Sequence, residues 1–172
     1  ISVIKWTLYV HPDLNFVFPL PDSKSKISQY LNFWFEFLSS KKYHPVEDWL
    51  SHIDSGNKQG NISVEVIKQL NESLRIKSYS GGKKICIIWC AEKLSELASN
   101  KLLKLIEEPP SLTYFLIISN DEKKILETLK SRCQIIRIPP IKNEEIKGFY
   151  NKIGIENNKQ EFLINASMGS TS

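Results

Sequence analysis

The chain lacks the long apolar runs of a membrane protein. Its 172 residues include no stretch of about 18 apolar residues, which a membrane-spanning helix requires, and no signal-peptide pattern. These absences argue against membrane and secreted proteins and favour a cytoplasmic one. The hydrophobic content of 41% suffices for a substantial core, so we expect one globular domain and the beginning of a second.

Cysteine is scarce, and its spacing indicates no particular chemistry. The three cysteines are Cys86, Cys90 and Cys133, and no two of them form the C-x-x-C pair that is common in metal and redox sites. None of the three histidines has a partner at metal-ligand spacing either. We therefore interpret the thiols as reduced structural groups and expect no metal site.

The excess of positive over negative charge is also small. The formal net charge is +4 and the isoelectric point is near 8.9, with the lysines dispersed among acidic residues. A mild excess permits phosphate contacts but does not indicate base-specific reading of DNA. Lys101 and Lys104, on the outer face of a predicted helix, are the best candidates for a weak contact with a nucleic-acid backbone; a solvated surface is the alternative.

The chain does contain two continuous apolar segments. Residues 85–88 and 114–118 are apolar without alternation, as expected of parallel strands that are covered on both faces. We therefore expect four side chains to be almost fully buried in a parallel sheet: Ile87, Ile88, Leu116 and Ile117.

A helix is predicted between these two strands. The apolar residues at helical spacing are Leu94, Leu97, Ala98, Leu102, Leu105 and Ile106. Pro109 and Pro110 end the helix, because proline supplies no amide donor and its ring clashes with the preceding turn. The unit is a strand, a crossover helix and a strand, and such units are right-handed and parallel.

Further helices are predicted on either side of this unit. Apolar spacing indicates helices at 27–38, at 49–53 and after Ser63, which we expect to be an N-cap. Asn143 is expected to cap a helix that runs to about Lys152 and stops at Gly154.

Three motifs in order resemble a known family. Residues 98–110 read ASNKLLKLIEEPP, residues 115–121 read FLIISND, and residues 131–133 read Ser-Arg-Cys. This order resembles the AAA+ clamp-loader subunits of bacterial DNA polymerase III. There, an acidic Walker B strand precedes a helix of the form AANALLKTLEEPP, a sensor strand and a Ser-Arg-Cys corner.

The departures from the family pattern indicate a subunit that does not hydrolyse ATP. An active subunit would have Asp-Glu after the first strand, to orient Mg²⁺ and polarise water. Here Trp89 and Cys90 occupy those positions, and only Glu92 matches the last acid of the box. This degenerate Walker B box resembles that of the delta-prime members, which keep the arginine corner.

The only Gly-Lys cluster does not match a phosphate-binding loop. Residues 80–84 read SGGKK and precede a strand, whereas a Walker A loop has the form G-x-x-x-x-G-K-[ST] between a strand and a helix. We interpret the cluster as a turn with solvated lysines and expect no cofactor in this chain. In the family, the Walker A loop lies upstream of the region matched here, so we expect the chain to be a fragment.

The resemblance implies a fold and a division into domains. The expected α/β fold is a P-loop NTPase-like (AAA+) parallel sheet flanked by helices, incomplete, with the start of a helical lid. Residues 1–141 would be a partial AAA+ core without the Walker A region, and residues 142–172 the beginning of the lid.

The resemblance also implies roles and partners. Arg132, fixed by Ser131 and Cys133, would be a finger that acts on a neighbouring subunit's nucleotide, and Asn120 would occupy the sensor position. The partners would be clamp-loader ATPase subunits and the delta subunit, with the sliding clamp and primer-template DNA reached through the complex. Without the resemblance, Arg132 would be an ordinary surface residue and Asn120 a helix N-cap.

Two other functions remain open at this stage. The chain could be an active motor subunit of the same fold, which Trp89 and Cys90 argue against. It could also be a stand-alone nucleic-acid-binding module, which the dispersed charge argues against.

Overall fold

The computed structural model describes residues 11–40, 45–53, 56, 59–79, 81–139, 141–152, 154–156, 160 and 163. The chain divides into two compact units, residues 1–134 and 135–172. The expected start of a lid at residue 142 stays a prediction. Residues 164–172, which include the end of the expected lid, lie outside the described part of the chain.

Three strands form a parallel sheet at the centre of the first unit. They are β1 (Leu14–Val17), β2 (Lys84–Ile88) and β3 (Thr113–Ile117). Their order in the sheet is β1-β2-β3, and both pairs are parallel. The predicted α/β class with a parallel sheet is therefore confirmed.

The helices follow the predicted apolar spacing closely. They are α1 (Ile27–Ser40), α2 (Val46–His52), α3 (Val64–Arg75), α4 (Glu96–Glu107), α5 (Glu127–Lys130) and α6 (Asn143–Lys152). Two single 3₁₀ turns, Ala91–Lys93 and Glu122–Lys124, follow the ends of β2 and β3. None of the described helices is both long and apolar enough to cross a membrane.

One face of the sheet is buried as predicted. Cys86 and Ile88 of β2 are fully buried and belong to the same core as Leu102 and Leu105 of α4. Leu97 does not join this core, because it lies in the first turn of α4 on the outer side and is 68% exposed. The predicted inward position of Leu97 is therefore wrong.

The other face of the sheet is covered at β1 and partly at β2, where Ile87 packs against the core. Phe16 is in register with Ile87. The centroid of its ring lies 6.0 Å from that of Trp34 and 5.9 Å from that of Phe35, both in α1. Leu116, which is in register with Ile87 on the far side, is 53% exposed. Successive side chains of a strand point to opposite faces, and no described helix covers this face of β3.

The predicted burial of four side chains on both faces is therefore only partly correct. Ile88 is fully buried, Ile87 and Ile117 are partly buried, and Leu116 is exposed. The apolar run of β3 resembles that of a doubly covered strand. Within the described residues, however, the layer that covers β1 and part of β2 on this face does not extend over β3.

The described residues of the Gly-Lys cluster, 81–84, are tied to neighbouring segments by hydrogen bonds. Buried Asp13 accepts a hydrogen bond from Ser78 Oγ at 2.9 Å, and Ser78 Oγ accepts one from the Gly82 amide at 3.0 Å. Lys84 is also buried, and its Nζ donates to the carbonyl groups of Leu74 and Ile76 at the end of α3. The prediction that the lysines are solvated is therefore wrong for Lys84.

The predicted helix ends are correct in two of three cases. Ser63 is the N-cap of α3, although its Oγ donates to the Ser23 carbonyl at 3.5 Å instead of capping the helix. Gly154, beyond α6, has a φ of +78°, which glycine adopts without strain. Asn143 is the first residue of α6 and not a cap preceding it.

Candidate functional site

Trp89 follows β2 and packs as a core aromatic. Its ring lies 5.2 Å from that of Trp34 and 6.1 Å from that of Phe37, both in α1. Its backbone amide donates to the Val17 carbonyl at 2.8 Å. The indole has one N–H donor and no acceptor. The side chain at this position therefore contributes to packing between α1 and the sheet, and it offers no ligand for a cation.

Cys90 is held in a neutral state beside it. The residue is buried and adopts a left-handed conformation with a φ of 56°. Burial, followed by the negative charge of Glu92, raises the pKa of the Cys90 thiol to about 12. Because only a thiolate is a good nucleophile or metal ligand, Cys90 cannot replace a catalytic carboxylate at neutral pH.

Glu92 links the segments that follow β2 and β3. It lies in the 3₁₀ turn after β2, and its Oε2 accepts hydrogen bonds from Ser119 Oγ at 2.8 Å and from the Asn120 amide at 3.4 Å. The carboxylate is thus engaged by the segment that follows β3. Within the described residues, no group of three or more His, Cys, Asp or Glu side chains could hold a metal ion.

Asn120 is exposed and lies three residues beyond the end of β3. Asp121, and not Asn120, caps the following 3₁₀ turn, because Asp121 Oδ1 accepts a hydrogen bond from the Lys123 amide at 3.1 Å. The alternative interpretation of Asn120 as a helix N-cap is therefore wrong. The side-chain amide forms no hydrogen bond with another described residue, and the sensor role of Asn120 stays a prediction.

The corner that carries Arg132 is fixed by the short helix before it. Leu129 of α5 is buried in the core, and its carbonyl accepts a hydrogen bond from the Arg132 amide at 3.2 Å. Ser131 caps the helix, and its Oγ donates to the Thr128 carbonyl at 3.0 Å. Ser131 is thus tied to the preceding turn of α5, and the role that the resemblance implied for it stays a prediction.

The Arg132 side chain is accessible but already has partners. It is 42% exposed, and its Nη2 forms an ion pair with Glu107 Oε1 at 2.6 Å. Its Nη1 donates to the Thr128 carbonyl at 3.1 Å and to Ser131 Oγ at 3.4 Å. Glu107 was not among the residues predicted from the sequence. Its position in the motif at 98–110 was the only feature of the sequence that pointed to it.

Three other predicted residues have ordinary environments. Cys133 is partly buried, and burial raises the pKa of its thiol. Lys104 is exposed on α4, whereas Lys101 is partly buried. A contact of either lysine with nucleic acid stays a prediction.

The structure separates the predicted residues into two groups. Helix α4 connects the carboxyl end of β2 with the amino end of β3, so it runs antiparallel to both strands. Glu92 and Asn120 follow the carboxyl ends of the strands, whereas Arg132 contacts the last residue of α4. Since α4 has 12 residues, the groups are separated by about 18 Å along the helix axis. Arg132 therefore cannot reach Trp89 or Cys90 of its own chain.

Comparisons with known proteins agree with the motif order. The family model described as "DNA polymerase III, delta subunit" matches residues 10–142. The chain is similar to DNA polymerase III subunit delta' of Buchnera aphidicola subsp. Schizaphis graminum, with 35% identity over 129 residues. This alignment covers 74% of the chain and 37% of the relative.

Other relatives have lower coverage or identity. The delta' subunit of Haemophilus influenzae is 35% identical over 127 residues, which are 73% of the chain and 37% of the relative. A gamma subunit of Buchnera aphidicola subsp. Baizongia pistaciae is 37% identical over 83 residues, covering 48% of the chain and 22% of the relative. A solved gamma subunit-related protein of Thermotoga maritima has a TM-score of 0.45 at 18% identity, covering 88% of this chain and 51% of that one. The chain thus spans little more than a third of the length of the two delta' relatives.

Proposed function

Since the chain belongs to the DNA polymerase III delta subunit family and is delta-prime-like, we propose that it supports ATP-dependent loading of the sliding clamp without hydrolysing ATP itself. The chain would serve as a scaffold, and one of its positive charges would act on a neighbouring subunit. It fixes an arginine on a rigid corner, and that arginine acts on the nucleotide of an adjacent ATPase subunit.

The position of Arg132 carries this proposal. The guanidinium is partly exposed, its backbone is fixed by α5, and it lies at the opposite end of α4 from the degenerate Walker B residues. An arginine in this position is suited to a phosphate on another subunit and not to one on its own chain. Its planar, permanently charged fork matches phosphate oxygens better than a lysine ammonium does.

The chemistry of phosphoryl transfer explains what such an arginine does. In the transition state, negative charge is spread over the equatorial oxygens of the transferred phosphoryl group, and catalysis depends on positioning and on charge stabilisation. Arg132 would supply positive charge and directed N–H donors without donating a proton. Lys would keep the charge but lose the fork.

Packing at the end of β2 supports the absence of hydrolysis by this subunit. Trp89 is occupied by contacts with α1, and the Cys90 thiol is neutral at physiological pH. Glu92 is the acid nearest to these positions in the sequence, and it accepts hydrogen bonds from the segment after β3. An indole and a neutral thiol therefore stand where an active subunit has the Asp-Glu pair that orients Mg²⁺ and activates water.

The partners follow from the same proposal. The adjacent ATPase subunits and the delta subunit would contact the chain directly, and the clamp and primer-template DNA would be reached through the complex. Lys101 and Lys104 would contribute at most a weak contact with the DNA backbone. The similarity to a gamma subunit keeps an active motor as the second candidate.

Reconstitution of the complex tests the role of Arg132. Full-length protein carrying Arg132→Ala or Arg132→Lys is assembled with the ATPase subunits, the clamp and primed DNA, and steady-state ATP hydrolysis and clamp loading are measured. Arg75→Ala, at the exposed end of α3, is the matched control. Both Arg132 variants should slow hydrolysis and loading, and Arg75→Ala should not.

The size of the effect depends on the number of active sites. A trans-acting arginine contributes roughly 10³ to 10⁵ in rate at a single site, but the other sites in a ring would mask much of that loss. Unchanged hydrolysis and loading with Arg132→Ala would exclude the proposed role. ATP hydrolysis by the purified full-length subunit alone would instead favour the motor function.

A further inference from the structure

We propose that Glu107 is a positioning residue for Arg132. Its carboxylate holds the guanidinium in the direction in which it meets the nucleotide of the neighbouring subunit. This inference rests on the proposed role of Arg132 and adds a second residue, Glu107, that acts only through the first.

The contacts of Arg132 leave the Nε–H group of its fork available. Nη2 contacts Glu107 Oε1 at 2.6 Å, and Nη1 donates to Thr128 O and Ser131 Oγ. The Nε–H group has no acceptor among the described residues. Nε and Nη2 form the side-on edge that binds two oxygens of a carboxylate or phosphate. A phosphate oxygen can therefore approach Nε while Thr128 and Ser131 hold Nη1 and Glu107 holds Nη2.

The acceptors of Arg132 lie on two well-anchored elements. Glu107 is the last residue of α4, which is held in the core by Leu102 and Leu105 and capped at its start by Ser95. Thr128 and Ser131 belong to α5 and its C-cap, which buried Leu129 anchors to the same core. The long arginine side chain is thus ordered before any nucleotide arrives, which reduces the entropy lost when it binds phosphate.

The exposure of the ion pair indicates that Glu107 matters more for function than for stability. The side chains of Arg132 and Glu107 are 42% and 39% exposed, and exposed ion pairs contribute little to folding. Replacing Glu107 by Gln keeps its size and one acceptor oxygen but removes the charge. We expect Glu107→Gln to fold as the wild type does, with the Arg132 side chain free to sample other directions.

An alternative is that Glu107 competes with the phosphate for Arg132. The two ideas make opposite kinetic predictions. Loss of a positioning residue lowers kcat and leaves KM unchanged, because the arginine acts in the transition state. Loss of a competing carboxylate strengthens the binding of ATP and lowers KM.

The experiment uses the reconstituted complex with full-length subunit, and measures ATP hydrolysis over a range of ATP concentrations with clamp and primed DNA. The variants are Glu107→Gln, Arg132→Ala and the double substitution. Glu108→Gln is the control, because Glu108 is the adjacent exposed carboxylate and forms no ion pair with another described residue. Thermal unfolding of each variant verifies that it is folded.

Glu107→Gln should lower kcat by about 3- to 10-fold and leave KM unchanged. A loss of this size is smaller than the roughly 100-fold that a misplacement of about 1 Å can cost. Glu108→Gln should match the wild type. The double variant should be no slower than Arg132→Ala alone, because Glu107 acts only through Arg132. A structural contribution of Glu107 elsewhere would add to the loss in the double variant.

The outcomes separate this inference from the proposed function. If Arg132→Ala slows hydrolysis while Glu107→Gln has no effect, or lowers KM at constant kcat, the positioning role is wrong and the role of Arg132 stands. Additive losses in the double variant also contradict positioning through Arg132. If Arg132→Ala has no effect, both ideas are wrong.

Discussion

Ser119 Oγ donates a hydrogen bond of 2.8 Å to Glu92 Oε2, and this bond ties the segment after β3 to the turn after β2. In a hydrolysing subunit, acids after β2 would serve Mg²⁺ and water. Here the retained acid holds two neighbouring loops together. The bond therefore offers a direct test of whether Glu92 has a structural role.

Ser119→Ala should destabilise the chain by about 1 to 3 kcal/mol, because a hydrogen bond to an ionised, partly buried carboxylate is lost. Urea unfolding measures the change. Ser111→Ala, at an exposed turn, is the control and should have almost no effect. In a double-mutant cycle with Glu92→Ala, a coupling energy near zero would show that the two side chains do not interact in solution.

Introducing at positions 89 and 90 the two acids of a hydrolysing subunit should not confer ATP hydrolysis. Trp89→Asp removes a ring that contacts Trp34 and Phe37 and places a carboxylate in the aromatic cluster. The free energy of unfolding should therefore fall by about 3 to 5 kcal/mol. Neither the wild-type chain nor the Trp89→Asp, Cys90→Glu variant should hydrolyse ATP with Mg²⁺. Turnover by contaminant-free protein in either form would contradict this prediction.

Leu102 and Leu97 provide a matched pair on one helix. Leu102 is fully buried beneath the sheet, whereas Leu97 is 68% exposed. Leu102→Ala should lower the free energy of unfolding by about 2 to 5 kcal/mol, and Leu97→Ala should change it by no more than about 0.5 kcal/mol. Chemical denaturation of the two variants tests which side of α4 faces the core. Similar losses for both would mean that the outer side of α4 is also packed in solution.

The buried thiols should make stability fall at alkaline pH. Burial raises the pKa of Cys86 and Cys90 from the ordinary 9.0 to about 12. Between those values, the unfolded chain releases protons that the folded chain retains, so stability present below pH 9 decreases as the pH rises toward 12.

Lysine and tyrosine side chains also titrate at alkaline pH. Comparing the wild type with Cys86→Ala therefore separates the contribution of the Cys86 thiol from theirs. The loss of unfolding free energy between pH 8 and pH 10.5 should be smaller in the variant, and iodoacetamide should modify Cys86 in the native wild type far more slowly than in urea. Equal pH dependence in the two proteins would show that the Cys86 thiol titrates normally when folded.

The sequence by itself determined the parallel strand–helix–strand unit and the ending of its helix. Both are local properties: a continuous apolar run forms a strand, apolar residues at helical spacing form one buried face, and Pro109-Pro110 cannot continue a helix. The substitution of Trp89 and Cys90 for the expected acids was also visible, because residue identity alone decides that an indole and a thiol cannot replace two carboxylates.

Only the tertiary structure decided which of these residues are buried and which charges meet. Leu116 is exposed because α1 covers the sheet at β1 and does not extend over β3, and an apolar run does not reveal how far a covering layer extends. The ion pair of Glu107 with Arg132 forms because α5 packs against α4. Such contacts depend on the arrangement of whole elements, which the spacing of residues along the chain does not specify.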